Sequence, residues 1–414
     1  MRVNQAFRFE LDPNREKRML LAKHVGAARF AYNWGLERCK RALEEGKPIP
    51  GAEQLHREWN RWKLENAPWW TEVSKCAPQE AFRNLEKAIR NWRKGGARFP
   101  RFKKKKGLGD NSARLTGSIR VAHRQVQLPR IGKVRTKERT DKLLALLEAG
   151  KARILSATIS READRWYVSL TCEVERPNPP PREGEPVGVD LGLTSFLVLS
   201  DGTRVEAPKP LTRRLKLLKR RSKQLSRKQK GSNNFRKASL RLARLHRRVR
   251  NTRQDFLHKV TTWLARTKPV IVMEDLNVRG LARGSLSRHV HDAGWGAFRR
   301  MLEYKAGWYG SKVVVAPRHF PSTRTCSHCG WVSPGPIPLT VRVFGCPQCG
   351  LEMDRDLNAA INLKNHGLAH LTGSTGSSPG SHACGDPSGG GTAAGWSTSH
   401  GSLKQEAGGC LFPT

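Results

Sequence analysis

Between Arg213 and Arg253 the chain carries 18 Lys and Arg residues and no acid. Leu242, Leu245 and Val249, continued by Phe256 and Val260, recur there at helical steps. A stripe of this kind predicts helix with one packed face and one cationic face. Gly231-Ser232-Asn233-Asn234 interrupts the pattern and predicts two helices folded as a hairpin. A charge run is ordinarily a solvated face, but a run that no acid interrupts points to phosphate. The whole chain shares the bias, with 77 Lys+Arg against 35 Asp+Glu in 414 residues and a formal net charge of +42. A compact body so charged repels itself unless a polyanion neutralises it. A hydrophobic fraction of 37%, with 12 Trp and 13 Phe, still suffices for real cores. No apolar run approaches the roughly 18 residues of a membrane span, and MRVNQAFRFELD has no signal-peptide core. Membrane and secreted classes are therefore excluded, and a nucleic-acid partner is expected.

The coarse organisation is α+β and multidomain. Residues 1–10 alternate as a strand. Helical spacing is predicted over residues 14–45, 51–66 and 78–93, with Trp34, Trp59, Trp62 and Leu85 among the apolar positions. Residues 94–109 then gather Lys103, Lys104 and Lys105 around Phe99 and Phe102. Strand-like runs follow at 119–121, 125–128, 154–160 and 166–173. This reads as a β-rich unit with a helical insertion, closed by a proline-rich breaker at 177–181. Beyond it, residues 187–190, 195–199, 270–273 and 312–315 are apolar strands separated by helices. Residues 367–414 are rich in Gly, Ser, Thr and His, and a disordered tail is expected.

Four of the nine cysteines cluster, as Cys326-x-x-Cys329 and Cys346-x-x-Cys349, each pair followed by glycine. Two residues between cysteines let both sulfurs face one tetrahedral ion, and two such pairs at this separation predict one structural zinc. The other five are scattered, which argues for reduced thiols rather than disulfides. A closed four-cysteine site has no open coordination position, so it stabilises a fold and performs no chemistry.

The few acids fall in telling places. Asp190 ends the run Val187-Gly-Val-Asp190, Glu274-Asp275 ends the run 270–273, and Asp354-Arg-Asp356 opens the last helix. Singly, each has an ordinary reading as a turn former or helix cap. Together, in a chain so short of acids, they suggest a carboxylate cluster able to hold two divalent cations for phosphodiester cleavage.

Gly188-Val-Asp190-Leu-Gly192, Glu274-Asp275-Leu276-Asn277, the two cysteine knuckles and Asp354-Arg-Asp356-Leu-Asn358-Ala359-Ala360-x-Asn362 occur in this order. With Gly26-Ala-Ala-Arg29-Phe-Ala-Tyr32-Asn33-Trp34 and Pro100-Arg-Phe-Lys103-Lys104, they resemble the TnpB (OrfB) proteins of bacterial insertion sequences, a family similar to compact type V CRISPR effectors. The resemblance covers nearly all of residues 1–366. It implies a β-rich wedge domain (1–10 and 94–180) with a helical recognition insertion (11–93). It also implies an RNase H-like (RuvC) α/β nuclease domain (183–318 and 354–366) with an inserted zinc ribbon (319–353). The implied activity is RNA-guided cleavage of double-stranded DNA beside a short motif, with Zn²⁺, two Mg²⁺ or Mn²⁺ ions and a guide RNA from the element's own end. By motif match Asp190, Glu274 and Asp356 are the catalytic carboxylates, with Asp354 the competing choice for the third and Asp275 in a helix-capping or supporting role. Lys75 and Gln79, four apart on a helix, resemble residues that read the motif beside the target. A heteroduplex held by its backbone needs a positive channel, to which Lys103, Lys104, Lys105, Arg213, Arg220, Arg227, Arg241, Arg248 and Arg253 are assigned. The implied setting is the prokaryotic cytoplasm, at the nucleoid, with no membrane or small-molecule substrate and with a functional link to the element's separate transposase. Two other readings use the same residues: a transposase that joins DNA strands, and a catalytically silent nucleic-acid-binding regulator.

Overall fold

The computed structural model describes residues 1–105, 111–338 and 340–372, and its chain divides into two compact units at Pro177. In the first, strand β1 (Arg2–Asp12) leads into helix α1 (Arg15–Glu44). Asn14 starts α1 by accepting a hydrogen bond from the Lys17 N–H at 2.8 Å. Leu21, Val25, Ala28, Tyr32, Leu36 and Cys39 then form its buried stripe. Helix α2 (Ala52–Asn66) and a single 3₁₀ turn (Pro68–Glu72) precede α3 (Cys76–Arg93). Helix α3 starts two residues before Pro78, because a proline in the first turn removes an N–H that has no helical partner there.

Six further strands follow: β2 (Ser112–Leu115), β3 (Arg120–Ala122), β4 (Gln125–Leu128), β5 (Gly132–Thr136), β6 (Ala152–Glu162) and β7 (Arg165–Glu175). A short helix, α4 (Asp141–Glu148), lies between β5 and β6. The sheet is antiparallel throughout, in the order β2-β6-β7-β1-β5-β4-β3. β1 is thus an inner strand, and the three long helices leave the sheet between it and the rest. β2, β5 and α4 have no counterpart among the sequence-based expectations. The two strands are short and mix charge with single apolar residues, and α4 offers too few turns for its period to stand out.

The second unit is built on β8 (Val187–Leu191), β9 (Ser195–Leu199), β10 (Arg204–Glu206), β11 (Val270–Glu274) and β12 (Lys312–Ala316). Sheet order is β10-β9-β8-β11-β12, antiparallel among the first three and parallel from β8 through β12. Helices α5 (Pro210–Ser226) and α6 (Asn233–Thr267) connect β10 to β11. Helices α7 (Val278–Leu281), α8 (Ser287–Ala293) and α9 (Trp295–Tyr309) connect β11 to β12. Phe196, Leu257, Leu264, Ile271, Phe298 and Leu302 are buried together where α6 and α9 cover the sheet. The two-stranded hairpin of β13 (Val343–Gly345) and β14 (Glu352–Asp354) precedes α10 (Arg355–Thr372). α10 continues past Gly367, where the sequence predicts the start of a tail, as far as Thr372. The rest of that expected tail, like Lys106 of the basic segment, lies outside the described residues. No helix among the described residues is long and apolar enough to cross a membrane.

Candidate functional site

The four cysteine sulfurs lie within 4.8 Å of one another, the only such group of His, Cys, Asp or Glu among the described residues. Cys326 Sγ is 3.6 Å from Cys349 Sγ, and Cys329 Sγ is 3.5 Å from Cys346 Sγ. Zn–S bonds of about 2.3 Å set tetrahedral sulfurs about 3.8 Å apart, so the cluster fits a zinc ion. Local backbone chemistry explains the fit. Gly330 (φ +79°) and Gly350 (φ +73°) turn each knuckle back through the left-handed region, and their N–H groups bond to the carbonyls of Cys326 and Cys346 at 3.0 Å. Burial opposes ionisation of Cys326, but backbone N–H groups of Cys329 and His328 and the neighbouring thiols pull its thiol down to about 6.

The carboxylates approach one another through strand register, without forming a group as tight as the cysteines. Val189 on β8 is paired in parallel with Met273 on β11, so Asp190 and Glu274 follow side by side at the carboxyl ends of adjacent strands. The carboxyl ends of parallel strands are where α/β sheets place ligands. Asp356, the second residue of α10, joins them because α10 lies directly across β8. Two glycines permit that crossing. A Cβ on Gly188 would stand 1.8 Å from the Ala360 carbonyl oxygen, and one on Gly367 would stand 2.3 Å from Val272 Cγ2. Part of Asp190 reaches solvent, but its carboxyl is deep. Burial, then the charges of Glu274 and Asp356, push its pKa up to about 8. Asp354 acts less on it and is otherwise engaged, capping α10 through the Leu357 N–H at 3.0 Å and pairing with Arg204 at 3.0 Å. Asp275 points to Arg299 and Arg318 at 2.5 and 2.8 Å, and these two arginines hold its carboxyl below the usual range. It takes no part in helix capping.

Other residues at this site are given no role by the sequence. Ser322 donates its hydroxyl to Glu274 Oε1 and is itself buried. On α10, Asn362 donates to the Ser322 and Thr325 carbonyls at 2.8 and 2.6 Å, while Asn358 donates to Thr325 O and accepts from the Ser327 N–H. The two buried asparagines therefore tie the start of the cysteine ribbon to the helix that bears Asp356. Their place within the motif is the available clue, yet spacing alone does not reveal a partner.

The cationic surfaces divide. α5 and α6 form the expected hairpin, joined by buried Leu218, Leu245 and Val249. Arg213, Arg220, Arg227, Arg241 and Arg248 are exposed on it, and none is ion-paired among the described residues. Arg253 departs from the expectation: its side chain is only 12% exposed, and it faces Asp292 at 3.5 Å. An arginine enclosed with its own counter-ion is an anchor, not an open phosphate contact. In the first unit, Lys75 is exposed at the start of α3 and Gln79 is half-buried one turn on. Asn33 clamps the Lys103 backbone from both sides, accepting from its N–H at 2.7 Å and donating to its carbonyl at 2.9 Å. The Lys103 ammonium lies 4.1 Å over the Tyr32 ring. Two separate sequence motifs thus meet, with Lys104 and Lys105 exposed just beyond.

Comparison with known proteins identifies the family. A family model for OrfB proteins of the IS605 type, described as "Probable transposase", matches residues 169–284. A Cas12f1-like TNB domain model matches residues 295–363, and a helix-turn-helix domain model of the OrfB type matches 1–48. A Streptomyces pristinaespiralis protein, provisionally named an RNA-guided DNA endonuclease, is 36% identical over 370 residues, covering 89% of this chain and 90% of its own length. Escherichia coli K12 InsQ, under the same provisional name, is 32% identical over 393 residues, 90% of this chain and 94% of its own. Among solved structures, Cas12f1 in complex with sgRNA and target DNA shares the fold with a TM-score of 0.52 at 16% identity, over 84% of this chain and 82% of that one. Identity of this extent along nearly the whole length, together with the ordered motifs, makes the chain a member of the TnpB (OrfB) family of insertion-sequence proteins.

Proposed function

We propose that the chain is an RNA-guided, divalent-metal-dependent DNA endonuclease that cuts target DNA beside a short motif. One observation carries the reading: Asp190, Glu274 and Asp356 converge at the carboxyl ends of β8 and β11, in a protein otherwise dominated by positive charge. The antiparallel-then-parallel five-stranded sheet, with α10 laid across it, is the RNase H-like (RuvC) domain of this proposal, and residues 319–353 are its zinc ribbon. The all-antiparallel sheet of the first unit is the wedge, with residues 11–93 as the recognition insertion.

The donor set suits hard divalent cations, which take carboxylate oxygens. An acid whose pKa is raised by neighbouring acids is a site that cations relieve. Bound there, two ions would activate a water and neutralise the charge that develops at phosphorus. The chain's own residues supply the rest. Asp190 and Glu274 hold fixed positions on strands, and Ser322 orients Glu274 from the ribbon side. Asp356 is carried on a helix whose seat depends on Gly188. The exposed arginines of α5 and α6, with Lys104 and Lys105, would grip the phosphates of a guide–target heteroduplex, leaving sequence choice to base pairing. Lys75 and Gln79 are assigned to the motif beside the target. We assign the chain to the prokaryotic cytoplasm, where a DNA substrate and a transcript of the element would be found together.

The test uses purified protein with RNA transcribed from the element's end and with matched or mismatched target DNA. Cleavage of the matched target alone, lost on Asp190→Ala, is expected. Strand joining without RNA, or equal cleavage by wild type and Asp190→Ala, would sink the reading.

A further inference from the structure

Asp292, near the end of α8, is 4% exposed in a protein with few acids, and it belongs to no carboxylate cluster. Three hydrogen-bond donors and one cation converge on it. The Leu211 and Thr212 N–H groups donate at 2.9 Å, the Thr212 hydroxyl at 3.0 Å, and Arg253 from the middle of α6 faces it at 3.5 Å. The first two are free N–H groups of the first turn of α5, which has no cap of its own: residue 209, where a cap would sit, is a lysine held at φ +43°. An acid borrowed from another helix therefore satisfies the N-terminus of α5 and complements its dipole. Arg253 is shaped into the same knot. Gly294, at φ +75° between α8 and α9, leaves room for its stem, since a Cβ there would stand 3.2 Å from Arg253 Cδ.

The knot lies where the hairpin most needs it. Outside it, α5 and α6 meet through a small separate cluster around Leu218, Leu245 and Val249, and the outer faces of both helices repel each other. Three elements are joined at one carboxylate: the start of α5, the interior of α6, and α8, the second helix after the strand bearing Glu274. Leu193, three residues past Asp190, lines the same recess as Asp292 and Lys209. We infer that Asp292 is a positioning residue: through Arg253 and the α5 N-terminus it fixes the cationic hairpin at a set angle to the carboxylate-bearing sheet, so that a bound strand meets Asp190, Glu274 and Asp356 in register. This rests on the proposed nuclease reading and adds to it a division of labour, in which Arg253 anchors while Arg213, Arg220, Arg227, Arg241 and Arg248 bind.

The test compares Asp292→Asn, Arg253→Gln and Arg220→Gln in the full chain with its RNA. Asp292→Asn keeps the volume and removes the charge. Hydrogen exchange at the Leu211 and Thr212 amides should rise about tenfold or more, as expected for a weakened charge-assisted bond. The salt dependence of RNA binding should stay that of wild type, while kcat for target cleavage falls about tenfold or more and KM stays near its value, the signature of misplacement. Arg253→Gln should behave in the same way. Arg220→Gln should do the reverse, reducing the salt slope by the share of about one neutralised phosphate with exchange unchanged. Thr212→Val, which removes only the hydroxyl donor, serves as a milder variant if Asp292→Asn fails to fold, and should shift exchange and kcat in the same direction by less. A reduced salt slope in Arg253→Gln, unchanged exchange in Asp292→Asn, or raised exchange with unchanged kcat would each overturn the inference. If wild type shows no RNA-dependent cleavage, the nuclease reading fails. The exchange and salt-slope measurements then still decide whether Arg253 anchors or binds.

Discussion

Gly188→Ala is the sharpest test of how the carboxylates are brought together. The added methyl would meet the Ala360 carbonyl oxygen at 1.8 Å and the Lys364 nitrogen at 2.6 Å. Both are backbone atoms of a helix, so no side chain can swing away. Opening the first contact to about 3 Å, the lower limit of ordinary Cβ contacts, moves α10 from β8 by about 1.2 Å. Overpacking of this kind costs about 1–3 kcal/mol, or more where the backbone itself must move. The functional loss is larger, because Asp356 rides on the displaced turn and a misplacement of about 1 Å can reduce turnover on the order of 100-fold. Thermal melting and RNA-guided cleavage measured on the same preparation check both numbers. Gly26→Ala is the control: nothing lies within 4 Å of a Cβ there, and alanine inside α1 should stabilise by about 0.5–1 kcal/mol. Wild-type melting and wild-type cleavage for Gly188→Ala would refute the packing account of the site.

Three further outcomes are expected. The Asp190 carboxyl, raised to about 8 by burial and its acidic neighbours, has a folded pKa above its unfolded one, so its contribution to metal-free stability is full below about pH 4 and is lost as pH rises through 8. A divalent cation must displace that proton, so the rise in melting temperature with Mg²⁺ should grow from pH 6 to 8 and level off above, a trend that Asp190→Asn should abolish. Chelation of zinc, or Cys329→Ser, should loosen residues 319–353 first, seen as hydrogen exchange rising at Phe344 and Cys346, and then weaken the Ser322–Glu274 hydrogen bond and with it cleavage. Replacing Arg213, Arg220, Arg241 and Arg248 by glutamine should flatten the salt dependence of RNA binding by about 0.7–0.9 for each phosphate no longer neutralised, and an unchanged slope would remove the hairpin from the channel.

The sequence by itself determined whatever is written in local spacing or composition. Two residues between cysteines and a glycine after each pair define a knuckle wherever it is placed, because the constraint lies within five residues. The period of Leu21, Val25, Ala28 and Tyr32 defines α1 for the same reason. An acid-free run of 18 cations defines a strongly cationic hairpin without any neighbour being known. What the sequence left open are relations between elements far apart in the chain. Whether Asp354 or Asp356 faces Asp190 depends on how α10 crosses β8, which Gly188 and Gly367 permit from positions more than 170 residues apart. Arg253 and Arg248 are alike as letters, but Asp292 lies beside only one of them. Asn33 and Lys103 belong to separate motifs until the fold joins them, 70 residues apart. Short strands such as β2, β5 and β10 exist because a longer neighbour offers hydrogen bonds, so their own residues carry little sign of them. Local chemistry is repeated in every window of the chain and can be read there. Register, helix crossing and the pairing of buried charges arise only when distant segments share one volume, and the tertiary structure alone decides them.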